Sequence, residues 1–183
     1  MRKSKSVMGG LFKAILVLGV MVAFSVPAPT ADDNPAVMQL LMDAKQKAAA
    51  VSQDADQMEA LTRTDATWHA HAAQLDEMKQ HVNDLARAAE KLEASRASAS
   101  PWQQQAIDRM MPLLKELASN TNAAISHLSE LQSRPVSPSY TQYLTANTET
   151  AHELAQMISN FVDYGQTKAK MEALEQKLEV AQK

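Results

Sequence analysis

The stretch "TWHAHAAQLDEMKQHVNDLARAAEKLEAS", Thr67 to Ser95, decides how the chain folds. Trp68, Leu75, Val82 and Ala89 recur every seven residues, and His71, Met78, Leu85 and Leu92 form a companion set. Two such sets, offset by three, line one side of an α-helix, whereas a half-buried strand alternates with period two. The residues between them, rich in Asp, Glu, Lys, Arg and Gln, give the opposite face spaced opposite charges and contact with water. The segment predicts an amphipathic helix whose apolar seam is turned to partner helices.

The same pattern continues in both directions. Upstream, "NPAVMQLL" offers Asn34 as a cap and Pro35 for the first turn. Val37, Leu41, Ala44, Ala48, Val51, Ala55 and Met58 then follow at spacings of four and three, and the helix should run to about Thr62. The polar break "TRTD" provides Thr64 or Asp65 as the next cap. Downstream, "SASPWQQ" ends one helix and starts another, with Ser100 as cap and Pro101 in the first turn. Ile107, Met110, Leu114, Leu117, Thr121, Ala124, Leu128 and Leu131 repeat the heptad. After "SRPVSPSY", with Ser137 or Ser139 as cap, a last helix carries Leu144, Ala151, Leu154, Ile158 and Phe161 up to Gly165. Pro112, inside "RMMPLLKEL", removes one backbone hydrogen bond and predicts either a tolerated kink or a gap opened for a ligand.

Four amphipathic segments with short connections predict an all-α, antiparallel up-down-up-down four-helix bundle over residues 32–165. Gly165, the single glycine after the leader, marks a place where the last helix bends or ends. Beyond it, residues 166–183 carry Met171, Leu174 and Leu178 among charges and predict an extended C-terminal helical tail. A narrow apolar stripe of that kind suits self-association or a partner helix.

The opening residues point to export. Arg2, Lys3, Lys5 and Lys13 precede or border the apolar run Ala14 to Val26, and "PAPTADD" follows. That arrangement predicts a secretory signal peptide over residues 1–31, and hence a periplasmic or extracellular protein. The run is shorter than the roughly 20 residues of a spanning helix, so contact with a membrane is expected only if the leader stays uncleaved. Without the leader, 14 basic residues stand against 21 acidic ones, a net charge of −7. No basic patch interleaved with aromatics occurs, which argues against nucleic acid as a partner. The chain has no cysteine. Cysteine-ligated zinc, iron–sulfur clusters, thioether-attached haem and thiol catalysis are thereby excluded, and the fold must hold by packing alone.

Little else in the sequence carries chemistry. His69 and His71 are two apart, so on a helix they point about 100° on either side of their midpoint and cannot chelate one ion. His71 lies on the seam instead. If the second and third helices run antiparallel about the "SASP" turn, His71 comes level with His127. Asp56 or Glu59 of the first helix and residues near Thr145 to Glu149 of the last then fall at the same height. His71 and His127 are therefore the candidate metal ligands, with a transition metal or haem as the implied group. "ETAH", Glu149 to His152, has the Glu-x-x-His spacing of di-iron bundles, but no second copy and no seam position for His152 support that reading. No glycine-rich phosphate loop and no nucleophile elbow occur. The sequence thus predicts a non-enzymatic exported bundle without a cofactor, acting through its helix faces and tail on a protein partner or on itself. The alternative is a metal- or haem-binding bundle centred on His71 and His127.

Overall fold

The computed structural model describes residues 32–131 and 136–181, so the leader, and with it the signal-peptide expectation, lies outside the described residues. Four helices make up the described chain: α1 Pro35–Leu61, α2 Trp68–Ala94, α3 Pro101–Glu130 and α4 Pro138–Ala181. The fold is all-α, and each helix packs against two neighbours in the cyclic order α1, α2, α3, α4. Contacts fix the sense of neighbours. Along α1 and α4, Asp33 meets Lys168, Lys45 meets Asp163 and Asp56 meets His152, one number rising as the other falls. Along α3 and α4, Trp102 packs on Tyr164, Arg109 on Phe161 and His127 on Tyr143 in the same descending manner.

The seam residues form the core. Every seam position expected in α1 is buried, as are Leu75, Met78, Val82, Leu85, Ala89 and Leu92 of α2. Three expected positions fall outside it. Trp68 is half-buried at the start of α2, Leu131 is exposed because α3 ends at Glu130, and Phe161 is half-buried at the edge while Val162 takes the core position. The burial of an apolar side chain is worth about 1.5–3 kcal/mol, and the continuous seam supplies this in every turn.

The helix starts follow the capping residues closely. Asn34 Oδ1 accepts from the backbone of Ala36 at 2.9 Å and Val37 at 3.4 Å. Ser137 Oγ accepts from Tyr140 N at 3.2 Å, which selects it over Ser139. The cap of α2 is Thr67, beyond both expected caps, Thr64 and Asp65, because Thr62, Arg63 and Thr64 still turn back onto the carbonyls of α1. Gln103, fully buried, ties the two starts at one end together. Its carbonyl accepts from Ser100 N at 3.0 Å and Asn34 N at 3.1 Å, and its amide donates to Asn34 O at 2.9 Å.

Neither expected irregularity interrupts a helix. α3 runs through Pro112, which lies on the exposed side. α4 runs through Gly165 as one helix of 44 residues, so the helix does not end there. The glycine serves close approach. A Cβ at this buried position would stand 2.6 Å from the Trp102 ring and 3.1 Å from Met38 Sδ. The longest of the other helices has 30 residues, and from Ala169 to Val180 every residue of α4 is exposed. No helix among the described residues is long and apolar enough to cross a membrane.

Candidate functional site

Three places could carry function: the histidine end, a polar layer halfway along, and the end from which α4 projects. At the histidine end, the structure brings His71 and His127 to the same side chain, Tyr140. Its hydroxyl lies 3.2 Å from His71 Nδ1 in a fully buried contact, and the rings meet edge-on at 5.5 Å. His127 also stacks on Tyr140 at 6.2 Å, and its Nε2 lies 2.6 Å from Ser137 Oγ. The carboxylates expected at this level are elsewhere. Asp56 pairs with His152 at 3.0 Å, and Glu59 pairs with Arg63 one turn along its own helix. Tyr140, near the start of α4, occupies the height that Thr145 to Glu149 were expected to fill. Burial holds the His71 imidazole below the usual histidine range and pushes the Tyr140 phenol above its own. Among the described residues no three His, Asp or Glu side chains converge as an ion site. His71 Nε2 is left without a partner among those residues.

Halfway along, polar contacts cross all four helices. Asp54 of α1, buried beside Val51, Ala55 and Met58, lies 2.6 Å from His81 Nδ1 of α2. Thr148 of α4 donates to the Ala55 carbonyl at 3.3 Å, and its neighbour Asn147 lies 3.5 Å from the Thr121 hydroxyl of α3. Burial pushes the Asp54 carboxyl up although the His81 bond pulls the other way, while that same bond raises His81. The seam pattern gives no sign of this layer, since Asp54 directly precedes the seam residue Ala55. Asn147 and Thr148 sit between Leu144 and Ala151, where a heptad tolerates polar filler. A buried asparagine in a helical seam fixes register at some cost in stability. The buried groups of this layer are enclosed, so they suit register rather than exchange with a ligand.

The third place is accessible. Trp102, Arg109, Phe161 and Tyr164 line a cleft of about 590 Å³ between α3 and α4 with Gln105, Glu153, Gln156, Met157 and Asn160. The Arg109 guanidinium sits 5.7 Å above the Phe161 ring, and Trp102 meets Tyr164 edge-on at 5.4 Å. Asp33 anchors this end, accepting from the Trp102 indole and, at 2.8 Å, from Lys168. Burial raises the Asp33 carboxyl, but these bonds outweigh it and hold the group below its usual range.

From Tyr164 the apolar surface continues along the projecting part of α4. Tyr164, Met171, Leu174 and Leu178 are 53%, 57%, 60% and 65% exposed. At 100° per residue they fall within about 80° of arc, centred about 160° from the core-facing set Ala151, Leu154, Ile158, Val162 and Gly165. The apolar face of α4 thus changes sides where the helix leaves the bundle. Comparison with known proteins finds no matching family model, no matching curated protein and no matching solved structure, so the geometry alone carries the functional reading.

Proposed function

We propose that this chain is an exported, non-enzymatic four-helix bundle that works by binding or assembly through the outward face of the α4 projection. One observation carries the reading: Met171, Leu174 and Leu178 lie more than half exposed on one face of α4, uncovered by any other of the described residues. The projection has no need of them to be helical. Ala, Lys, Met, Glu and Gln already favour a helix, Lys168 and Glu172 pair at 3.4 Å one turn apart, and nucleation is completed inside the bundle. Three large apolar residues on a solvated helix are therefore surplus to folding, and burial against a partner is the use they fit.

A photo-crosslinking residue at position 174 of the full chain, expressed where it naturally accumulates, tests this. A discrete adduct is expected from position 174, lost when Leu178→Glu is added, and none from the exposed position 149 outside the α3–α4 cleft. No adduct from position 174 would overturn the reading. The export component is tested by N-terminal sequencing of the accumulated protein, which should begin after Ser25, Ala28 or Ala31.

The metal or haem alternative rests on the unpartnered Nε2 of His71. Metal content and a visible spectrum of untagged protein decide it. One equivalent lost in His71→Ala would make the histidine end the site.

A further inference from the structure

We propose that the occupant of the α4 projection is a second copy of this chain, the two tails pairing side by side, in register and pointing the same way. The inference rests on the tail being a binding face and names what binds there. The spacing is that of a two-stranded seam: Tyr164, Met171 and Leu178 are seven apart, and Thr167 and Leu174 form the companion row. The seam faces away from the bundle that each tail belongs to, so two bundles would sit on opposite sides of the paired tails and leave the seam free to close.

The flanking charges select both partner and direction. In a parallel pair, the residue just before each first-row position lies near the residue four after it on the other copy. Lys170 then meets Glu175 of the second copy, and Asp163 meets its Lys168, opposite charges in both cases. Asp163 and Lys168 already hold Lys45 and Asp33 within the chain, so Lys170 and Glu175 carry the argument. Neither makes an ion pair among the described residues. Glu175 borders a cleft with Asp32, Asp33, Glu172 and Glu179 in which Lys168 is the only cation, so an incoming Lys170 offsets a surplus of negative charge. A head-to-tail pairing that sets Met171 against Leu174 would instead bring Lys170 against Lys177, like against like, and its one opposite-charge pair, Lys168 with Glu175, uses the lysine already engaged by Asp33. The flanking charges therefore favour the parallel direction.

The seam is short and includes Thr167, so association should depend on concentration. Sedimentation equilibrium on the full chain, purified untagged from the fraction where it accumulates, should show mass rising from one copy toward two between about 1 µM and 1 mM. Leu174→Glu with Leu178→Glu should hold the mass at one copy with unchanged helical circular dichroism, which keeps the fold as a control. Lys170→Glu should weaken association about tenfold, and adding Glu175→Lys should restore it. The chain has no cysteine, so Leu178→Cys supplies one thiol, which should link two copies on oxidation only if the tails run parallel. A single-copy mass at every concentration overturns the proposal. If position 174 nevertheless crosslinks to a different protein, the binding face stands and self-pairing falls. Association without disulfide formation, or unchanged by Lys170→Glu, overturns the parallel arrangement.

Discussion

The two parts of α4 are built from the same kind of residue and do opposite things with them. From Tyr140 to Val162 its leucines, methionine, isoleucine and valine point into the bundle and vanish from solvent. From Tyr164 to Leu178 its tyrosine, methionine and leucines point out and stay in water. Helix propensity is higher in the outer part, with its Ala, Lys, Met, Glu and Gln, yet both parts are helical, so propensity does not explain which way the apolar row faces. What changes is the angular position of the apolar row, which moves to the far side of the helix within one turn of Gly165. A helix thus keeps its secondary structure across a boundary at which its tertiary purpose is exchanged.

Matched truncations on either side of that boundary should differ most. Leu154→Ala, in the core, should cost about 2–5 kcal/mol in urea unfolding, from lost burial and the cavity left behind. Leu174→Ala, measured where the chain is monomeric, should change stability by no more than about 0.5 kcal/mol. Equal costs at the two sites would mean that the projection folds back onto the bundle.

The boundary itself gives the next effect. Gly165→Val should destabilise by about 1–3 kcal/mol, since the added atoms meet the Trp102 ring and Met38. Even Gly165→Ala, which improves helix propensity, should fail to raise the melting temperature unless Trp102 is also made smaller. A clear gain from Gly165→Ala alone would show that the indole moves aside freely.

The His71 and His81 contacts, the first buried and the second partly so, should give smaller effects of opposite sign. His71 is held low by burial, so the unfolded chain takes up a proton first as pH falls past about 6.5, and stability drops on the acid side. His71→Phe should remove that acid-side loss. His81 is held high by Asp54, so its contribution is complete below about 6.5 and fades as pH rises through the folded value. Asp54→Asn should bring the His81 titration, followed by NMR, down toward the ordinary range. A His81 titration that does not move would detach it from the polar layer.

Sequence periodicity was enough for what repeats. The seams of α1, α2 and α3 and the caps Asn34, Ser100 and Ser137 could be read from spacing, because a helix projects every third or fourth residue to one side. It was blind to what occurs once. Gln103 clamps α1 to α3 across 69 positions, and no local pattern signals a contact of that range. Tyr140 and Asp54 are core residues of mixed character, and a polar atom at a buried position looks like a surface residue until its partner is known. The level rule placed His71 and His127 at one end of the bundle correctly, but did not foresee the tyrosine that both contact. Gly165 was legible as an exception, a bend or an end of the last helix; the helix does not end there, and the reason for the glycine is the neighbour it admits. The outward stripe of Met171, Leu174 and Leu178 was visible from the start, yet only the structure shows that it faces away from the core.

The most direct test is hydrogen exchange along α4 at increasing protein concentration, in the unaltered chain and in the Leu174→Glu, Leu178→Glu variant. Amides from 140 to 162 should be protected throughout in both proteins, while those from 166 to 180 should slow with concentration in the unaltered chain alone. Exchange over 166–180 that is fast and insensitive to concentration, or equally slow in the variant, would contradict an association face at the end of α4.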